Sequence, residues 1–351
     1  MTAPFTWIDG ERTIRFGRGM AAGAVDVLGG PGYTLLTTAR AAGAAPAVAE
    51  AAGAVHEVGP GYVDELAGDL LGSVSGDRLV ALGGGRVVDV AKAVAAALNS
   101  APAAGATAAT PPASGPAVAA PVVRAMAVPT TLSGAEMTRS HRPARGVDPS
   151  TPPARCAVVV NDPALSASQP EAQLAASALN ALGHAVEAPC TLRANPVATL
   201  VAHDAAARLI RALARPGDPD RDELALGALL AGYAIDSTGF GLHHVLSQTL
   251  VRVAGLGHGP ANAAMLPHTI AALAWRFPDQ HAALAAAMGE DPADTAARLS
   301  EHAGAARLAE LGADHDVLAE CADAAAARPQ LDHTPPRAGR AEIMALYESA
   351  Y

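Results

Sequence analysis

Four histidines and one asparagine stand in patterns that could carry chemistry. Asn180 and His184 lie four residues apart in LNALGHAVEA (Leu179–Ala188), so on a helix they share one face. His243 and His244 are adjacent in GLHHVLSQ (Gly241–Gln248), and His258 follows in GHG after a short interval. Imidazole donates, accepts or ligates near neutral pH. A lone histidine reads as a satisfied core residue; a helical pair plus a second pair straddling a loop reads as a site. A second pattern is LGGGRVVDVAK (Leu82–Lys92). Gly83, Gly84 and Gly85 let backbone N–H groups approach a pyrophosphate, and a helix N-terminus favours its charge. The spacing is not GxGxxG, so the three glycines alone read equally as a tight strand-to-helix turn. Asp89 and Lys92 complete the pattern, and Lys92 is the only lysine among 24 basic residues. A third pattern, VPTTLSGAEMT (Val128–Thr138), offers the hydroxyls of Thr130, Thr131 and Ser133 to a phosphate or ribose. Taken by itself it reads as an ordinary polar loop.

These groups need rigid elements behind them. The first half alternates short apolar runs with Ala-rich stretches, which predicts a parallel α/β sheet. Strands are expected at 33–38, 78–82, 125–128 and 157–160, and covering helices at 39–52, 62–71 and 87–98. The low-complexity segment 99–121 reads as a flexible insertion. After Asp162-Pro163 the strand signals stop. Helices are expected at 171–188, 196–213, 223–238, 242–253, 260–274, 279–288, 294–311, 317–327 and 340–351. The division is therefore an α/β dinucleotide-binding domain over 1–163 and a helical domain with the histidine cluster over 164–351. A ligand cleft is expected between them.

Composition narrows the classes. The formal net charge of −10 argues against nucleic acid, which wants a basic face. Three widely spaced cysteines make neither a disulfide framework nor a thiolate zinc site and fit a reducing compartment. The first residues lack the apolar run of a signal peptide, and no uninterrupted apolar stretch is long enough to span a bilayer. A cytoplasmic protein with no membrane partner is the expectation.

Together the motifs resemble the iron-containing (group III) alcohol dehydrogenase superfamily, and within it most closely the maleylacetate reductases. The family's GGGSxxDxAK stands here as GGGRVVDVAK, PTTxxGSEMT as PTTLSGAEMT, and NAxxHAVEA as Asn180–Ala188. The order runs from FGRG (Phe16–Gly19) through DPAL (Asp162–Leu165), Asn195-Pro196, GLHHVLSQTLVR and LPH (Leu266–His268) to the C-terminal helix. The resemblance implies a dehydroquinate synthase-like architecture, an α/β dinucleotide domain plus an all-α domain, often in a homodimer. NADH or NADPH would lie over Gly83–Gly85 with its nicotinamide near the histidines.

In the metal-dependent members an Asp and three His hold iron or zinc; the matching positions are Asn180, His184, His244 and His258. An amide is a neutral, weaker ligand. Maleylacetate reductases also carry Asn there and are regarded as metal-independent, so no metal is assigned, with weak zinc or iron binding at His184, His244 and His258 left open. The activity implied is reduction of maleylacetate, or a related unsaturated oxo-acid, to 3-oxoadipate or its counterpart. His184, His243, His244 and His258 are the candidates for proton donation and charge stabilisation, and Asn180 for an amide hydrogen bond to substrate.

Two departures bear on the substrate. The reductases tend to have Lys after the His pair and His a few residues later, where this chain has Val245 and Gln248. Arg139, Arg142 and Arg252 stand as substitutes for the missing cation. The alternatives are a metal-dependent group III alcohol dehydrogenase and a repurposed biosynthetic homologue with a different, even non-redox, reaction. NAD-selective folds end their second strand on an acid. Here Thr37-Thr38-Ala39-Arg40 follows the strand, so Thr37 and Arg40 join the cofactor candidates and NADPH stands beside NADH.

Overall fold

The computed structural model describes residues 3–100, 123–214, 217 and 219–351. Among the described residues, seven strands form one sheet: β1 (Phe5–Asp9), β2 (Arg12–Phe16), β3 (Thr34–Thr37), β4 (Ala54–Glu57), β5 (Arg78–Gly83), β6 (Arg124–Pro129) and β7 (Val158–Asn161). Their order is β1-β2-β7-β6-β5-β3-β4, with only β1 antiparallel to its neighbour. Strands β3, β5 and β6 are buried along nearly their whole length, as expected of parallel strands covered on both faces. Their connections carry the helices α1 (Ala24–Val27), α2 (Ala39–Ala44), α3 (Pro46–Glu50), α4 (Val63–Leu70) and α5 (Gly85–Ser100).

The helical half contains α6 (Glu171–Glu187), α7 (Pro196–Leu213), α8 (Arg221–Thr238), α9 (Leu242–Val253), α10 (His258–Arg276), α11 (Pro278–Met288), α12 (Pro292–His302), α13 (Leu318–Ala326) and α14 (Arg340–Ala350). Helix α6 is its axis and packs against α7, α8, α9, α10 and α12. From Leu174 to Glu187 nearly every residue of α6 is buried, and its Ala and Gly side chains let those neighbours come close. No single helix among the described residues is long and apolar enough to cross a membrane.

The chain separates into two compact units, Pro4–Thr130 with Arg139–Asp162, and Thr131–Thr138 with Pro163–Tyr351. The polar loop after β6 is thus divided, Thr130 belonging to the α/β unit and Thr131–Thr138 to the helical one.

Several expected elements differ in detail. Strands β1 and β2 form a hairpin across Gly10-Glu11, with Gly10 at φ +59°, where no strand was expected. Strand β4 is an edge strand, largely exposed, and gives no continuous apolar signal. The helix expected over 39–52 breaks at Pro46, which cannot donate to the preceding turn. The helix expected over 294–311 stops at His302, followed by Gly304 at φ +65°. Asn99 and Ser100 close α5, and the Asn99 amide both donates to and accepts from Val123. The rest of the expected insertion lies outside the described residues.

Lys92 explains its own persistence. Its side chain is fully buried, its Nζ lies 2.8 Å from Asp89 Oδ1, and it donates to the Ser140 carbonyl at 3.2 Å. It therefore ties α5 to the segment leading into β7. Removing only the carboxylate takes a counter-charge away from a buried ammonium. Asp89→Ala should lower unfolding free energy by about 3 kcal/mol, and Lys92→Met by clearly less, because Asp89 is partly exposed and can be solvated. Urea titration of both variants measures the difference.

Candidate active site

In the α/β unit the candidate cofactor residues meet at the carboxyl ends of β3, β5 and β6. Chain order runs outward in both directions from the β3–β5 pair, so this edge is the topological switch point of the sheet, where ligands of such folds bind. Gly83 ends β5 and α5 begins at Gly85. A Cβ at Gly83 would stand 2.7 Å from Val87 Cγ2, so glycine lets the helix turn directly off the strand. Thr130 donates its N–H to Gly83 O at 2.9 Å, and exposed Arg40 donates to Thr130 Oγ1 at 3.4 Å. Thr37 faces inward and donates its hydroxyl to Leu82 O at 2.8 Å. Asp89 and Lys92 lie further along α5 and are engaged with each other.

In the helical unit Asn180, His184 and Glu187 occupy one stripe of α6 at i, i+4 and i+7. Facing them is the N-terminus of α9 with His243 and His244. Glu187 is wholly buried; it accepts the His243 backbone N–H and the His244 Nδ1–H, each at 2.7 Å. A helix N-terminus presents unpaired N–H groups and positive charge, and a carboxylate from the neighbouring helix satisfies both here. Burial pushes the Glu187 carboxyl up, while His243 and the backbone N–H groups of Gly241, His243 and His244 pull it back down.

The hydrogen bond to Glu187 fixes His244 with its proton on Nδ1, leaving Nε2 as a buried atom without a partner. The His184 ring stacks on His244 at 4.6 Å and 12°, and His243 meets His244 edge-on at 4.9 Å. Phe240 lies tilted against His244 at 5.8 Å. His243 Nδ1 is 2.8 Å from Thr269 Oγ1. Asn180 donates to Ser133 O at 3.2 Å and keeps a buried Oδ1 without a partner. Thr131 and Ser133 therefore sit with the histidines in the helical unit. His258 differs from the other three: it begins α10 and is exposed, yet close enough to depress their proton affinities.

Burial, reinforced by the neighbouring imidazoles, drives His184 well below its ordinary value. His243 is pushed down to about 3 by burial first and His244 next, and His244 to about 3 by burial, His258 and Arg328. The core of the cluster is thus a set of neutral rings. Among the described residues, no three His, Cys, Asp or Glu side chains are grouped to hold a metal ion.

Three side chains alter the reading made from sequence. Glu187 was not singled out, although its position seven residues after Asn180 placed it on the same face. Val245 is fully buried, so a cation at that position would point into the core. Arg139 and Arg142 fall in the α/β unit and Arg252 is exposed on α9; Arg328 donates to Gln248 Oε1 at 3.0 Å, and its charge helps to lower the proton affinity of His244.

The two halves of the chain match two family models. Residues 32–141 match iron-containing alcohol dehydrogenase, and residues 174–351 match the C-terminal domain of the Fe-containing alcohol dehydrogenase family. The chain belongs to the iron-containing alcohol dehydrogenase family. It is 34% identical over 246 residues to maleylacetate reductase 1 of Rhodococcus opacus, covering 65% of this chain and 66% of that protein. It is 36% identical over 211 residues to the maleylacetate reductase of Rhizobium sp. (strain MTP-10005), covering 57% and 60%. These matches span less than two thirds of the relatives' own length. The crystal structure of maleylacetate reductase from Agrobacterium tumefaciens superposes with a TM-score of 0.79 at 26% identity, covering 100% of this chain and 99% of that one.

Two outcomes follow from the cluster. A Cβ at Gly183 would lie 2.6 Å from His243 Nε2, so Gly183→Ala should lower stability by about 2 kcal/mol, measured by denaturant unfolding. The second concerns pH. The unfolded chain binds protons at His243 and His244 below its ordinary histidine pKa, while the folded rings stay neutral down to about 3. Stability should therefore be full above about pH 6.5 and fall as pH drops toward 3. A His243→Gln variant should show a shallower fall in thermal midpoint over that window.

Proposed function

We propose that the chain is an NAD(P)H-dependent reductase of maleylacetate, or of a related unsaturated oxo-acid, working without a bound metal. The observation that carries this reading is Asn180. Where the metal-dependent members place a carboxylate, this chain places a neutral amide whose N–H is given to Ser133 O, and the one carboxylate in the cluster, Glu187, is committed to α9 and His244. That donor set does not fit a tightly held divalent cation. The similarity to enzymes named maleylacetate reductase supports the same branch.

The switch-point edge fits a dinucleotide, with Gly83–Gly85 and the start of α5 toward its pyrophosphate. Thr130 and Arg40, hydrogen-bonded to each other, stand beside it at the same edge. Arg40, exposed in the first turn of α2 just after β3, is a cation suited to a 2′-phosphate, so NADPH stands beside NADH. When bound, NAD(P)H supplies a hydride to one alkene carbon, and the C=C electron pair moves onto the conjugated carbonyl oxygen. The second amide N–H of Asn180 is suited to that oxygen. Three of the four histidines are buried and neutral, which leaves solvent-exposed His258 to exchange a proton with water and pass it to the enolate. His184, His243 and His244 shape and desolvate the site. Thr131 and Ser133 hold the loop beside them, while Thr37, Asp89 and Lys92 hold the strands and helix of the α/β unit. The proposal includes a homodimer in the cytoplasm, as the family resemblance implies.

The test follows nicotinamide absorbance with maleylacetate, with and without EDTA. Oxidation of NADH or NADPH that EDTA leaves unchanged is the expected result. Loss with EDTA and recovery with Fe²⁺ or Zn²⁺ would assign the metal-dependent alcohol dehydrogenase instead, and conversion of maleylacetate without nicotinamide oxidation would assign a non-redox reaction.

A further inference from the structure

The elbow between α8 and α9 holds one aromatic ring in place. The two helices meet at 102°, and Gly239, Phe240 and Gly241 make the bend. Gly239 follows α8 at φ +74°, a region that favours glycine. A Cβ at Gly241 would stand 2.5 Å from Thr334 Cγ2, so a side chain there would displace Thr334. Between these glycines the backbone is tied on both sides of Phe240. His333 donates its Nδ1–H to the Phe240 carbonyl at 2.9 Å, and Leu242 donates its N–H to Thr334 Oγ1 at 3.1 Å. The Leu242 N–H is the first of α9 and has no partner inside the helix. Thr334 is 1% exposed, so this hydroxyl stands where water cannot. The His333 carbonyl in turn accepts from Leu192 N–H at 2.8 Å, which anchors the segment that carries both residues. With its backbone held, Phe240 sets its ring 5.8 Å from the His244 ring at 46°. Phe240 is half-buried while His244 is buried, so an aromatic ring stands at the margin of the neutral imidazoles.

We propose that Phe240 determines specificity, its ring being the wall on which the planar C=C–C=O group of an unsaturated oxo-acid lies, and that Thr334 is the positioning residue that holds it there. The inference rests on the reading of the chain as an oxo-acid reductase and narrows its substrate class. A conjugated C=C–C=O group is flat and polarisable, and it stacks on an aromatic face. Reduction makes two tetrahedral carbons, which cannot lie flat on the ring. The same wall therefore holds the unsaturated acid and lets the saturated one go.

The experiment measures dissociation constants of the full chain for maleylacetate and 3-oxoadipate by calorimetry, without nicotinamide so that neither acid turns over. The two probes carry the same carboxylates and differ only in the reduced double bond. The wild type should bind maleylacetate about fivefold more tightly than 3-oxoadipate, the size of an aromatic stacking contact. Phe240→Leu keeps an apolar side chain and every hydrogen bond of the elbow, and should bring the two constants together by weakening maleylacetate. Thr334→Val removes the acceptor of the Leu242 N–H at nearly constant shape and should lose the preference too, and Thr334→Ser should restore it. A merely structural Thr334 would instead weaken both acids alike in the valine variant, which would overturn its positioning role. Equal affinities in the wild type, or no binding of either acid, would overturn the proposal. A preference for maleylacetate without nicotinamide oxidation would overturn the reductase reading and leave the Phe240 wall standing. Nicotinamide oxidation with the preference unchanged in Phe240→Leu would overturn the wall and leave the reductase standing.

Discussion

The buried carboxylate of Glu187 is the contact on which the helical unit depends. A carboxylate taken wholly out of water is costly unless its lone pairs are met by donors. The first turn of α9 supplies them, since a helix start has N–H groups with no partner of their own. One interaction therefore joins α6 to α9, caps α9, orients His244 and sets its tautomer. The order is causal: α6 must be buried for Glu187 to be desolvated, and Glu187 must be desolvated for its hydrogen bonds to hold the histidines in one arrangement.

The same burial decides the chemistry open to the imidazoles. Three rings packed edge and face against one another cannot all carry charge, and they are neutral because solvation is withdrawn from each. The fourth histidine, His258, is exposed at the start of α10. The cluster is thus graded by depth, with three neutral rings inside and one histidine at the margin.

The α/β unit solves a different problem with simpler means. Its central strands β3, β5 and β6 are apolar on both faces, so their polar groups gather at strand ends, and the switch in strand order collects three such ends at one edge. Among its described residues Lys92 and Arg12 are fully buried cations, and each has a carboxylate partner three residues away. In a chain otherwise built with arginine, a compact ammonium suits a buried pocket where the Asp89 carboxylate and the Ser140 carbonyl approach it closely.

Much of this was legible in the residues alone. Continuous apolar runs marked β3, β5, β6 and β7, Ala-rich amphipathic stretches marked most of the helices, and the spacing of Asn180 and His184 put them on one face. Those are local properties, fixed by periods of two and of 3.6 residues. What the sequence withheld was set by partners far away in the chain. The edge strand β4 is held by its neighbour, not by its own apolarity. The β6 loop divides between the two units because Leu132 and Ser133 find hydrogen-bond partners on α6. Glu187 gained its role from the start of α9, and Gln248 from an arginine eighty residues later. Periodicity states which face of an element is buried; only the packed structure states against what, and the protonation and partners of a buried polar group depend on that neighbour.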